Sequence, residues 1–166
     1  MPIYKIVKYP AAILRKKAKN VEEISGKQRE LLDNMAETMY DDEVTVGLAA
    51  QQVNLGDKLT VIDARDENGL IKLVNPVIKY KSEDMVTMSE GCMSFPGITV
   101  DVPRSSKIIV EAKNERGQLI TLEAEGFLAR VIQHEMDHLE GKLIIDYLNP
   151  VKKAIKEAIL RLKRKD

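Results

Sequence analysis

Apolar residues recur along this chain with two different periods, and each period predicts a kind of element. Leu31, Leu32, Met35 and Met39 follow helical spacing. They come after Ser25-Gly26-Lys27-Gln28, which fits a capping box, so a first helix is predicted to run to about Tyr40. Near the end, Asn149-Pro150 supplies a cap followed by proline in the first turn. Val151, Ala154, Ile155, Ala158, Ile159 and Leu162 then form one stripe, of which the residues from Ala154 to Leu162 are expected to dock on the body. Short β-prone runs lie between, at Leu59–Asp63, Ile71–Leu73, Lys107–Lys113 and Gln118–Leu122. Asp66-Glu67-Asn68-Gly69 and Asn114-Glu115-Arg116-Gly117 punctuate them as hairpin loops. The order implies an α+β fold: antiparallel β-strands packed around a central helix, with an N-terminal helix and a basic C-terminal helix.

That central helix, approximately Gly126 to Glu140 with Gly141 as its C-terminal cap, carries the chemistry. At 100° per residue, Phe127, Leu128, Val131, Ile132 and Leu139 spread over an arc of roughly 140°. His134 and His138 fall at its edge and Glu135 inside it, while Arg130, Gln133, Met136, Asp137 and Glu140 take the opposite side. Buried imidazoles and a buried carboxylate cost several kcal/mol unless something compensates them. His134-Glu135-Met136-Asp137-His138 reads H-E-x-x-H, a spacing that aims two imidazoles one helical turn apart at a metal and sets Glu135 beside them as general base. A catalytic site of this kind uses three protein ligands. The only cysteine, Cys92 in Glu90-Gly91-Cys92-Met93-Ser94-Phe95-Pro96, is the candidate third; a buried inert thiol is the alternative.

Composition narrows the setting. The chain has 166 residues, 44% hydrophobic and 31% charged, which suits one domain spanning 1–166. Neither a membrane span nor the apolar segment of a secretory signal stands out, so the expected location is the cytoplasm. A single cysteine excludes an intramolecular disulfide. The 26 basic and 26 acidic residues cancel, which argues against a protein that coats nucleic acid, and no specific DNA partner is expected. The balance is uneven, because residues 151–166 hold seven Lys/Arg against two Asp/Glu.

Three segments, VGLAAQQ from Val46, EGCMSFP from Glu90 and QHEMDHLEG from Gln133, resemble in order and spacing the signature motifs of the peptide deformylases. The resemblance extends over nearly the whole chain, including Asn75-Pro76, Val102-Pro103-Arg104 and the basic C-terminal helix of the bacterial type 1 branch. It implies removal of the formyl group from the N-terminal formyl-methionine of new polypeptides, with formate as co-product. Cys92, His134 and His138 align with the family's metal ligands and Glu135 with its catalytic carboxylate. Gln52 aligns with the glutamine that holds the formyl oxygen, and the Met93 N–H with the second oxyanion donor. The metal implied is Fe²⁺ in the cell, with Zn²⁺, Ni²⁺ or Co²⁺ able to take its place. Thr45 stands where the family's first motif begins with glycine. Met93 replaces a leucine, an exchange that leaves the main-chain donor intact.

The residues can be assigned a mechanism on this basis. The metal keeps a position for water and lowers its pKa. Glu135 takes the water's proton and passes it to the departing amine. Gln52 and the Met93 N–H stabilise the oxyanion. Glu90 is expected to pair with Arg104 and brace the Cys92 loop. Val46, Gly47, Phe127 and Val131 are the candidate walls of the methionine pocket. Two rival readings are an H-E-x-x-H peptidase that cuts internal bonds and a binding module with a closed structural metal site. The first would need a downstream ligand and the second a fourth, yet no histidine follows His138 and no second cysteine exists. The basic tail adds the ribosome as an expected partner, through attraction to phosphate.

Overall fold

The structure is a computed structural model describing residues 3–164; Lys165 of the basic tail and the side chain of Arg164 lie outside the described residues. Among the described residues, seven strands and three α-helices alternate unevenly. They are α1 (Gly26–Tyr40), β1 (Gly47–Ala49), β2 (Leu59–Ile62), β3 (Ile71–Lys81), β4 (Met85–Glu90), β5 (Val100–Ser105), β6 (Lys107–Lys113), β7 (Leu119–Glu125), α2 (Gly126–Leu139) and α3 (Pro150–Arg164). Every strand pairing is antiparallel. Five strands form one sheet in the order β1-β2-β3-β6-β7, and β4 and β5 form a separate two-stranded ribbon. The architecture is α+β.

The large sheet is buried on both faces where it matters. Successive residues of a strand point to opposite sides. Leu48, Val61 and Val74 therefore join Leu32, Met35 and Met39 of α1 in one cluster, while their neighbours Ala49, Ile62 and Leu73 join Leu128, Ile132 and Leu139 of α2 in another. Double burial explains why β2 reads Leu-Thr-Val-Ile without alternation, all four residues being buried. The capping box is present at Ser25: its N–H donates to Gln28 Oε1 at 2.9 Å, and its hydroxyl accepts from the Lys27 N–H at 3.3 Å. Both proposed hairpin loops are turns that join β2 to β3 and β6 to β7.

Three sequence expectations need correction. The run ending at Leu73 continues to Lys81, because the Asn75-Pro76 step is absorbed as an irregularity in the pairing of β3 with β6 rather than ending the strand. Asn75 takes a left-handed φ of 52°, and its side chain exchanges two hydrogen bonds with the Val21 backbone. Strands β1, β4 and β5 had no clear signal. Every residue of β4 before Glu90 is exposed, and β5 contains Pro103. The polar side of α2 is the second correction: Arg130 and Gln133 are buried because the β4–β5 ribbon packs where solvent was expected, and Met136 is buried in the cluster between α2 and the large sheet.

The third concerns α3. Its expected docking stripe docks only in part: Ile159 packs, half-buried, against the core, whereas Ile155 and Leu162 are 55% and 66% exposed. Leu160 enters the core instead, about 140° round the helix from Ile155. It joins Leu14, Phe95, Ile98 and Ile145, while the Tyr9 hydroxyl donates to Glu157 on the same side of α3. Leu14, Phe95 and Ile145 come from loops and short turns, so no period in the sequence reveals the surface that Leu160 meets. No described helix is long and apolar enough to cross a membrane.

Candidate active site

Two elements converge on one cleft. Helix α2 presents His134 and His138 one turn apart, with ring centroids 5.0 Å from each other. The loop after β4 presents Cys92. It is held from behind by Phe95, which is buried and stacks on Tyr9 at 5.1 Å, and by the turn in which the Phe95 N–H donates to the Cys92 carbonyl. The Cys92 sulfur lies 3.4 Å from His138 Nε2, and the ligand atoms of Cys92, His134 and His138 all fall within 4.8 Å of one another. A tetrahedral ion with ordinary metal–sulfur and metal–nitrogen bonds would separate sulfur from nitrogen by ~3.6 Å. The donor set therefore fits a single divalent metal.

Glu90 occupies the centre of the surrounding network. Its Oε1 receives the His134 Nδ1–H at 2.8 Å, which leaves Nε2 of that ring for the cleft. Arg104 donates to both carboxylate oxygens at 2.8 and 3.0 Å, as the sequence suggested, and Arg130 adds a third cationic contact at 2.5 Å. Burial pushes the Glu90 carboxyl up, but the hydrogen bonds from Arg104 and His134 outweigh it and take the group down to about 2. Arg104 also donates to Asp137 at 2.5 Å and to the Tyr147 hydroxyl at 3.1 Å. Burial lowers His138 well below the usual histidine range, with His134 and Arg104 adding to the effect, so its imidazole is neutral. His134 is raised well above that range: burial opposes its charge, yet hydrogen bonds to Cys92 and Glu90 prevail.

Glu135 is 3% exposed, and its Oε2 finds no partner among the described residues. Burial raises its carboxyl to about 7, where one group can both take and give a proton near neutrality. Gly47 makes room for it. A Cβ at that position would lie 2.8 Å from Glu135 Oε1 and 3.0 Å from its Cγ. Gln52 is pinned by the Ala49 N–H, which donates to its Oε1 at 3.0 Å, and its Nε2 donates to Cys92 Sγ and Ser94 Oγ, each at 3.3 Å.

The cleft measures about 1020 Å³, and Val46, Gly47, Gln52, Met93, Phe127 and Val131 all line it. Val131 is buried and Phe127 is 51% exposed, so the first belongs to the floor and the second to the rim. Thr45 also lines it and does not take a left-handed φ, so nothing in the backbone there demands glycine. Sequence reasoning did not assign Arg130, Asp137, Tyr147 or Ser94 to this site. Asp137 and Arg130 could have been found by asking what neutralises a buried charge on α2; Tyr147 and Ser94 carry no such signal.

Hydrolysis of an amide assisted by a divalent metal is a chemistry this donor set can serve beside a buried carboxylate, and an α+β metallohydrolase is the class so defined. A family model described as polypeptide deformylase matches residues 3–154. A peptide deformylase of Thermodesulfovibrio yellowstonii is 44% identical over 158 residues, 93% of this chain and 94% of that one. One from Halothermothrix orenii is 48% identical over 147 residues, 88% of this chain and 94% of that one. Among solved structures, the peptide deformylase of Ehrlichia chaffeensis superposes with a TM-score of 0.94 at 30% identity, covering 99% of this chain and 98% of its own. That of Thermotoga maritima gives 0.85 at 40% identity, covering 90% and 100%. The chain belongs to the polypeptide deformylase family. Its reaction removes the formyl group from the N-terminal methionine of newly made polypeptides and releases formate.

Proposed function

We propose that Cys92, His134 and His138 hold one divalent ion, that Glu135 is the general base and acid, and that Gln52 and the Met93 N–H stabilise the oxyanion. The observation that carries this reading is the meeting of the sole thiol and the only two imidazoles beside a buried carboxylate whose Oε2 has no partner among the described residues. A bound divalent ion supplies Lewis-acid polarisation and a water of lowered pKa. Glu135 accepts a proton at its carboxylate oxygen and returns it to the methionyl nitrogen as the formyl carbon–nitrogen bond breaks. Water and formamide become formate and a free amine. The Gln52 Nε2–H, already directed at Cys92 Sγ, is placed to turn toward a formyl oxygen arriving beside the ion. Val46, Gly47, Phe127 and Val131 enclose the methionine side chain.

A thiolate among the ligands suits iron or zinc, and Fe²⁺ is the ion assigned in the cell, with Zn²⁺, Ni²⁺ or Co²⁺ as substitutes. Residues 1–166 work as one catalytic domain in the cytoplasm, where the nascent substrate is made. Deformylases of Ehrlichia chaffeensis and Synechococcus elongatus have been solved with actinonin, and the cleft here is assigned the same ligand. The decisive experiment mixes metal-replete protein with a formyl-Met peptide and its unformylated twin. Formate equal to the new amine, with both peptides otherwise intact, is expected. Internal cleavage, or no formate, overturns the assignment.

The ribosome is the second proposed partner, through α3. Docking by Leu160 leaves Lys152, Arg161 and Lys163 exposed beside the unpartnered apolar residues Ile155 and Leu162. Cations flanking an apolar strip suit a surface of phosphate and protein. Binding should weaken steeply with salt as released counterions lose their advantage. Charge reversal of Lys152 and Arg161 should reduce cosedimentation with ribosomes while turnover of a short formyl peptide persists. Equal binding by variant and parent at low salt returns α3 to a merely solvated helix.

A further inference from the structure

The three metal-ligand candidates ride on two pieces of structure that share no strand. His134 and His138 belong to α2, seated on the five-stranded sheet, whereas Cys92 follows β4 of the two-stranded ribbon. The sulfur-to-imidazole distance therefore depends on how the ribbon sits on α2. The His134–Glu90, Arg104–Asp137 and Gln133–Ser105 contacts cross that junction, and one further side chain reaches both strands of the ribbon at once. Arg130, one helical turn before His134, is 6% exposed. Its Nη1 donates to Glu90 Oε2 at 2.5 Å and to the Val102 carbonyl at 2.9 Å, and its Nη2 donates to the Val86 carbonyl at 2.5 Å. A single guanidinium thus holds β4 near both ends and β5 in its middle.

Charge neutralisation alone does not explain this arrangement. Arg104 already meets Glu90 with two hydrogen bonds from within the ribbon. Two of the three Arg130 contacts go to backbone carbonyls, which need a donor in the right place rather than a counter-charge. A planar fork with donors in fixed directions can satisfy acceptors on two strands at once; the single ammonium of lysine cannot do so equally well. Gln133 makes a weaker, neutral version of the same junction, accepting from the Ser105 N–H at 3.1 Å and donating to the Ser105 carbonyl at 2.9 Å.

We infer that Arg130 is a positioning residue for the metal-ligand set: it seats the β4–β5 ribbon on α2 and so sets Cys92 against His134 and His138. It also holds Glu90 in the orientation that receives the His134 Nδ1–H. Arg130 touches neither substrate nor metal in this account. The inference rests on the metal assignment proposed above.

The test uses cobalt-loaded enzyme, in which the thiolate-to-cobalt absorption reports the Cys92 bond directly. Parent, Arg130→Lys and Arg130→Met are titrated with a competing chelator, and thermal unfolding of each checks the fold. Loss of an outer partner of a ligand is expected to weaken metal binding 10–100-fold. Arg130→Met should show that loss, a shifted or weakened thiolate band, and a fall in kcat with KM little changed. Arg130→Lys should lie between, since it keeps one of three acceptors. A folded Arg130→Met with the parent's cobalt affinity and band overturns the inference. Gln133 still anchors Ser105 in these variants; should Arg130→Met nevertheless fail to fold, Arg130→Lys decides, parental affinity and band refuting and their loss supporting. Metal retained in full by Cys92→Ala would instead remove the metal assignment itself, so the two failures are distinguishable.

Discussion

Replacing Glu90 by glutamine keeps the shape of the side chain and removes the charge on which two guanidiniums and an imidazole converge. The carboxyl is 7% exposed and lies at about 2 in the folded protein, against an ordinary 4.5. That difference corresponds to about 3 kcal/mol of stability. Because the folded value is the lower one, the stabilisation is complete above the unfolded value and is lost as pH falls through the folded value. Glu90→Gln leaves Arg104 and Arg130 buried without their carboxylate, a defect that costs roughly 3–5 kcal/mol in buried pairs. Urea unfolding of chelator-treated parent and variant between pH 7 and pH 2 measures the gap. It should be wide and flat from neutrality to about pH 5, then close by about 1.4 kcal/mol per pH unit as Glu90 takes its proton. A gap that stays constant down to the lowest pH, or no gap at neutrality, would refute the placing of a charged Glu90 at the centre of the network.

Cys92→Ala should lose the metal, as read by elemental analysis after dialysis; undiminished metal would show that the thiol is not a ligand. Glu135→Gln should keep the metal and lose turnover by about 10²–10⁴-fold, and near-parental activity in the metal-replete variant would remove Glu135 as the base. The same substitution should affect stability in the opposite sense. Burial raises the Glu135 carboxyl to about 7, so the chelated parent loses stability as pH rises from 4.5 through 7. The variant should then be the more stable protein at pH 8 and equal to the parent at pH 4, a comparison made by thermal unfolding. Gly47→Ala forces a Cβ to within 2.8 Å of Glu135 Oε1 and should cost about 10² in kcat by displacing the carboxylate; unchanged kcat would show that Glu135 has room to yield.

What was legible in the sequence is what one element can encode. The register of His134 and His138 is a property of a helix, four residues apart on one side, and it can be read without knowing what the helix packs against. The capping box at Ser25 and the two hairpin turns are local in the same sense. The β4–β5 ribbon is not, because β4 shows water five of its six residues and therefore has no alternation to detect. That single omission explains the misreading of α2. With the ribbon missing, the 100° arithmetic assigned Arg130, Gln133 and Asp137 to solvent, when their partners are Glu90, Val86, Val102, Ser105 and Arg104. The misreading of α3 has the same origin, since Leu160 docks against residues gathered from loops and short turns. Where α2 is concerned, a test was nonetheless available. An arginine one turn before a pair of inward histidines and an aspartate between them, on a helix with Glu135 turned to the core, require counter-charges from elsewhere in the chain. Glu90 lies two residues before the only cysteine and Arg104 further along the chain, and the two had been paired with each other alone. A buried carboxylate offers about four lone-pair directions. Arg104 takes two of them and His134 one, which leaves a place that only another buried donor can fill, and Arg130 is the cation on α2 positioned one turn from His134 to reach it.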